Sequence, residues 1–180
     1  MTGWNAMKVL VVTAALTLVG CTSPEEVALA LYDQASDARA AGRLAESDQL
    51  LEEALTALPE GEVANRVQDL LQAVRSESED QVLEAMDEIR QAQEAFMSRE
   101  RRHAQSVEEL VFSLMLTEAP DGAAIGYRIR SRSSPAADAY SISAEAVVGI
   151  ESRRSFFQDL GGVMRWELGG PATADSPALE

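Results

Sequence analysis

The repeating pattern of the chain changes at the sequence GYRIRSR, residues 126–132. Apolar Tyr127 and Ile129 alternate there with three arginines, and a period of two places successive side chains on opposite faces of a β-strand. The same alternation returns in YSISA at residues 140–144, and two more apolar runs lie on either side of the sequence DLGG at residues 159–162. The pattern therefore predicts four antiparallel strands after residue 126.

Before residue 126 the apolar residues recur at helical spacing instead. One helix is predicted between residues 23 and 42, a second at residues 44–58 and a third at residues 62–75. The first opens with SPEE at residues 23–26, in which serine is the cap, proline takes the first helical position and glutamate follows three residues after the cap.

A break is predicted next, at the polar run SESED of residues 76–80. Ser78 and Gln81 can form a new capping box, which would begin a fourth helix that continues through Phe96. A short further helix is predicted after Ser106, continuing through Leu114 and Met115. Helices followed by strands give an α+β fold class, with an N-terminal helical hairpin and then a helix that carries an antiparallel four-stranded sheet.

The first two predicted helices resemble one tetratricopeptide repeat. The resemblance lies in AGRLAE at residues 41–46 and EALTALP at residues 53–59, with small side chains at Ala35 and Ala38. It implies two closely packed antiparallel helices. The pattern occurs once, whereas repeat arrays usually need three units to bury a continuous core. A plain helical hairpin therefore stays open as the alternative.

The second half of the chain resembles the head of a type IV pilin or of a type II secretion pseudopilin. The similar segments are, in order, AQEAF (92–96), RHAQSVEEL (102–110), GYRI (126–129), YSISAE (140–145), RSFFQD (154–159) and GVMR (162–165). The resemblance implies a helix packed on an antiparallel sheet. The apolar filament-forming stem of that family is absent, and its calcium-binding loop is not recognisable. An unrelated α+β sandwich is the alternative.

The start of the chain resembles the signal peptide of a bacterial lipoprotein. Lys8 precedes an uncharged apolar run at residues 9–19, which is too short to span a bilayer, and LVGC follows at residues 18–21. The resemblance implies cleavage between Gly20 and Cys21 and a lipid anchor on Cys21. Thr22 after the cysteine favours the outer membrane, facing the periplasm. A buried apolar helix with a chance cysteine is the alternative.

These patterns divide the chain into four predicted parts. Residues 1–20 are the signal peptide and residues 21–77 the acidic helical segment. Residues 78–170 are the α+β head, and residues 171–180, rich in glycine, proline, alanine and serine, are a flexible tail.

The composition limits the chemistry. The net charge is −15, and residues 126–180 carry six of the basic side chains against seven acidic ones, so the acidic excess lies on the helical part. Such a surface repels nucleic acid. With one histidine and one cysteine, a metal site or disulfide is not expected. No nucleophile elbow, phosphate loop or zinc motif occurs, so no catalytic residue, cofactor or small-molecule substrate is predicted. His103 is expected to pack or to lie on the surface.

One set of residues remains as a candidate partner-binding site: Arg128, Arg130 and Arg132, which share a strand face. They protect an edge strand, or they dock an acidic partner. The leading hypothesis is a non-enzymatic, lipid-anchored envelope module accessory to a type II secretion or type IV pilus-like machine. The alternatives are a tetratricopeptide-like adaptor of envelope assembly and, without a visible catalytic base, a small hydrolase.

Overall fold

The computed structural model describes residues 23–136 and 138–179, so the predicted signal peptide, Gly20 and Cys21 lie outside the described residues. The α+β class is confirmed: a helical hairpin precedes a four-stranded antiparallel sheet. The elements are α1 (Pro24–Ala40), α2 (Leu44–Ala57), α3 (Glu62–Glu100), α4 (Val107–Phe112), α5 (Gly122–Ile125), β1 (Tyr127–Ser133), β2 (Tyr140–Ala146), a 3-10 turn (Ile150–Ser152), β3 (Arg154–Asp159) and β4 (Met164–Leu168).

The helical hairpin forms where the sequence places it. Ser23 caps α1, since its hydroxyl accepts from the Glu26 amide while the Glu26 carboxylate accepts from the Ser23 amide. Gly42 makes the turn to α2 at a φ of +74°, where a side chain would be strained. Ala35 is fully buried, and its carbonyl accepts from the Ser47 hydroxyl of α2, so the two helices approach closely.

The predicted break at residues 76–80 is wrong, because α3 continues without interruption for 39 residues, roughly 58 Å. Ser78 does not cap a new helix. It lies fully buried in the apolar stripe of α3, four residues after Val74 and four before Val82. Its hydroxyl donates to the Val74 carbonyl, which satisfies it within the helix.

The sheet packs one face on the second half of α3. The strand order is β1-β2-β3-β4, with every neighbouring pair antiparallel. Tyr127, Ile142, Ala144 and Phe156 point from three strands into the core that α3 covers, and all are buried. These alternate residues confirm the predicted period of two and fix which side chains lie on the opposite, outer face.

The hairpin and the sheet also contact each other directly. A Cβ at Gly149, in the loop before β3, would lie 3.2 Å from both the Asp48 carboxylate of α2 and the Arg75 guanidinium of α3. Glu79 of α3 forms an ion pair with Arg154 of β3. The predicted boundary between residues 77 and 78 therefore falls inside one helix and beside these contacts.

The tail differs from the loose segment that its composition predicts. The Trp166 amide donates to the Pro177 carbonyl at 3.0 Å, and the Leu179 amide donates to the Met164 carbonyl at 2.8 Å. These bonds place residues 177–179 beside β4. The preceding residues cross the outer face, where the Ser176 hydroxyl donates to Glu167. The tail thus covers the half of the outer face that β3 and β4 form.

Candidate docking face

The three arginines of β1 lie together on the outer face of the sheet. Arg128, Arg130 and Arg132 are exposed, whereas the intervening residues of β1 turn toward α3. The half of the outer face that β1 and β2 form is not covered by the tail. We name this half the docking face and define it by the residues of β1 and β2 that share it: Arg128, Arg130, Arg132, Ser141, Ser143 and Glu145.

The register of β1 and β2 gives each arginine a direct cross-strand neighbour. Arg128 faces Glu145, and their charged groups lie 3.4 Å apart. Arg130 instead faces Ser143, and Arg132 faces Ser141. Neither Arg130 nor Arg132 forms an ion pair with any side chain in residues 23–136 and 138–179. Two of the three cations therefore lack a counter-charge within the described residues.

A cleft of about 260 Å³ opens between these two arginines and the tail. Ser141, Ser143 and the half-buried ring of Phe157 line it, and Ala172 of the tail contributes the opposite wall. The cleft therefore combines two cations, two hydroxyl groups and one aromatic surface with the carboxylate of Glu145, which is already paired with Arg128. This set can bind an anionic group that has an apolar neighbour.

Gln93 of α3 contacts β1, the strand that carries the arginines, from the inner side of the sheet. Its side chain is fully buried. Its amide nitrogen donates to the Ala104 carbonyl and to the Ser131 hydroxyl, each at 2.9 Å. Its amide oxygen accepts from the Ala104 amide at 2.9 Å. The sequence did not indicate this role, because a glutamine in a charged helix also fits an exposed position. Gln93 fixes β1 relative to α3 and so orients the docking face.

His103 packs, which is one of the two roles that the sequence predicts for it. It is 4 % exposed, and its ring centroid lies 4.8 Å from that of Tyr140. Its Nδ1 has no hydrogen-bond partner among the described residues. The side chain is separated from the docking face by the sheet, since Tyr140 points to the inner face of β2. The structure thus does not bring His103 together with the arginines.

A buried cation lies near the contact between the hairpin and the head. Arg153 is 1 % exposed, stacks 4.8 Å above the Tyr127 ring, and donates to the Ile125 carbonyl. Burial raises the pKa of Tyr127 to about 12, because the ionised phenol would lose its hydration. The Tyr127 hydroxyl donates to the Arg154 carbonyl at 2.9 Å. These contacts join loops of the head and are not on the docking face.

Two large apolar side chains project into solvent after α4. Phe112 is 91 % exposed and Leu114 is 87 % exposed. The sequence predicts a helix that continues through Leu114 and Met115, but α4 ends at Phe112. Leu114 instead has a φ of +61°, a left-handed conformation that is uncommon outside glycine. The Arg99 guanidinium donates to the Ser113 carbonyl and holds this turn against α3.

Two further features are absent from residues 23–136 and 138–179. No helix there has an apolar stretch long enough to cross a bilayer. No cluster of three or more histidine, cysteine, aspartate or glutamate residues is placed to hold a metal ion there.

No protein-family model, curated protein or solved structure matches this chain.

Proposed function

We propose that this chain is a lipid-anchored, non-enzymatic interaction module of the bacterial cell envelope, accessory to a machine of the type II secretion or type IV pilus kind. One observation carries the binding role: Arg130 and Arg132 are exposed side by side with no counter-charge within the described residues. The lipoprotein-like start and the pilin-like order of segments support the envelope setting.

The charge distribution favours an acidic partner. The chain as a whole carries −15, so a positive strip on the docking face is a local exception to a negative surface. Neighbouring like charges repel each other, and a partner with carboxylates removes that repulsion. Complementary surface charges mainly raise the rate of encounter and set the register of a complex. The docking face would therefore select acidic partners from a mixed population.

The start of α1 and the docking face lie at different ends of α3. Glu25 of α1 borders the same surface cleft as Gly61 and Val63, so the first described residues lie near the start of α3. Gln93, which contacts the strand of the docking face, lies 31 residues after Glu62, the first residue of α3. This separation corresponds to roughly 46 Å along the helix. A lipid on Cys21 would therefore present the arginines well away from the anchored end.

Removal of the anchor tests the envelope setting. Cys21→Ser should abolish acyl labelling and release the protein from the membrane fraction, because each buried methylene of an acyl chain contributes about 0.8 kcal/mol to membrane binding. The measurement is metabolic labelling with a fatty acid, followed by sedimentation of membranes. If the variant sediments as before and the leader is uncut in both forms, the lipoprotein proposal is wrong.

Removal of the arginines tests the docking role. The triple variant Arg128→Ser, Arg130→Ser and Arg132→Ser should change the free energy of unfolding by no more than about 0.5 kcal/mol, since the side chains are exposed. Association with the native partners should slow by about tenfold or more and lose its dependence on salt. Co-purification from membranes at low and high salt measures this.

The matched control is a triple variant that removes three exposed arginines elsewhere: Arg43→Ser, Arg66→Ser and Arg99→Ser. It changes the net charge equally, so it should leave the co-purified proteins unchanged. If the docking-face variant retains the same partners as the wild type at both salt concentrations, the face is a solvated surface. The binding role would then pass to the helical hairpin, as in the adaptor alternative.

A further inference from the structure

We propose that the docking face binds an extended acidic peptide segment whose two carboxylates, two residues apart, pair with Arg130 and Arg132. This inference rests on the proposed docking role and names the chemistry of the partner. It starts from the cross-strand pairs between β1 and β2 on the docking face. One of these is an arginine–glutamate pair, and the next two are arginine–serine pairs.

The arginine–glutamate pair contains a carboxylate that the two arginine–serine pairs lack. Glu145 of β2 neutralises Arg128 from the directly opposite position. Ser143 and Ser141 occupy the equivalent positions for Arg130 and Arg132, and both line the open cleft. A serine hydroxyl carries no charge that could neutralise a guanidinium, and its short side chain leaves space above the strand. The missing anions can therefore be supplied by a molecule that lies in the cleft.

The spacing of the two cations selects an extended partner. Residues two apart on a strand lie roughly 6.6 Å from each other and point to the same side. An extended segment with acidic residues at positions i and i+2 presents its carboxylates with the same spacing. In a helix, residues i and i+2 point in different directions, so a segment with acidic residues at i and i+2 matches both cations only when it is extended.

The rest of the cleft favours a peptide over a lipid surface. The Phe157 ring and Ala172 form an apolar wall opposite the arginines, which an aliphatic side chain next to the carboxylates can contact. Phe157 belongs to β3 and Ala172 to the tail, and together they make the site a concave slot, whereas a bilayer presents a broad plane. A symmetric pairing with the docking face of a second copy is disfavoured, because it would bring arginines against arginines.

The test uses the full-length chain in a neutral detergent and the peptide acetyl-Gly-Glu-Val-Glu-Val-Gly-amide. Valine favours an extended backbone, and the blocked termini carry no charge. One control peptide has glutamine in place of glutamate. Another has the order Glu-Val-Val-Glu, which puts the two carboxylates on opposite sides of an extended chain. Nuclear magnetic resonance of the arginine Nε–H groups measures binding at Arg130 and Arg132.

A matched pair of protein variants locates the site. Ser143→Glu places a carboxylate opposite Arg130, as Glu145 stands opposite Arg128, so it should keep the fold and fill the vacant position. We expect it to lower the affinity for the alternating peptide by about tenfold. Ser143→Gln has nearly the same size without the charge, and we expect it to change the affinity by no more than about twofold.

The outcomes separate this inference from the proposed docking role. If the alternating peptide binds more tightly than both controls and Ser143→Glu weakens it, the inference is supported. If both acidic peptides bind equally, the spacing argument is overturned while a docking role for the arginines stands. Binding that Ser143→Glu does not change overturns the site. The inference is also overturned if no peptide binds at millimolar concentration, whether or not vesicles with anionic lipid bind instead.

Discussion

Glu79→Pro should lower the free energy of unfolding by about 3 kcal/mol or more relative to Glu79→Ala. In α3, position 79 lies well inside a continuous helix of 39 residues. Proline there removes an i→i−4 hydrogen bond, and its ring clashes with the preceding turn. Both variants lose the ion pair with Arg154, so the difference between them isolates the effect on the helix backbone.

The same substitution separates the two readings of residues 76–80. If Ser78 capped a new helix, position 79 would be the first helical residue, where proline is favoured. Glu79→Pro would then match Glu79→Ala in urea denaturation followed by circular dichroism. Because α3 is continuous, limited proteolysis should not cut preferentially at residues 76–80, and hairpin and head should unfold in one transition. A first cut there, or two transitions, would restore the predicted boundary.

The break at residues 76–80 was wrongly predicted because a run of polar residues there conceals the apolar helical pattern, which continues through it. Ser76, Glu77, Glu79 and Asp80 are polar, and Ser78 matches a capping position when only its neighbours are considered. The apolar stripe of α3 nevertheless keeps its phase through Ser78, which occupies the place of an apolar residue. A serine hydroxyl that bonds within its own helix can be buried at little cost. Only the packing partners of that face show which assignment is right.

The candidate site was predictable in part. A period of two is sufficient to place Arg128, Arg130 and Arg132 on one strand face, and the structure confirms that placement. The residues opposite them depend on the register between β1 and β2, which a single sequence does not fix. The contrast between Glu145 and Ser143 therefore emerged only with the pairing of the strands. The tail wall at Ala172 depends on a contact between segments that are distant in sequence.

The contact between the hairpin and the head was likewise not predictable from the sequence. Asp48 and Arg75 lie 27 residues apart, and Gly149 approaches them from a loop of the sheet. Each residue alone suggests a solvated charge or an ordinary turn. Asp48 is 0 % exposed, however, so its carboxylate depends on a partner. The Arg75 Nε donates to it at 2.8 Å, while Nη2 donates to Glu52 at 2.6 Å.

Arg75→Met should therefore lower the free energy of unfolding by about 3–5 kcal/mol, because it leaves a buried carboxylate without its cation. The double variant Arg75→Met with Asp48→Met should recover most of that loss, since two apolar side chains of similar size leave no unpaired charge. Urea denaturation of the wild type, both single variants and the double variant forms a thermodynamic cycle that measures the coupling between Asp48 and Arg75.

The position of Gly149 extends this expectation from the hairpin to the head. Its Cα hydrogen faces the Asp48 carboxylate and the Arg75 guanidinium, where a Cβ would come within 3.2 Å of each. Loss of Arg75 should therefore also speed hydrogen exchange in residues 147–153, although these belong to the loop before β3. Arg90→Met is the control, since Arg90 pairs with Asp87 on the exposed face of the same helix. If Arg75→Met lowers the free energy of unfolding no more than Arg90→Met does and leaves exchange in that loop unchanged, the ion pair between Arg75 and Asp48 stabilises the hairpin no more than a surface pair does. The link between hairpin and head must then rest on other contacts, such as the ion pair between Glu79 and Arg154.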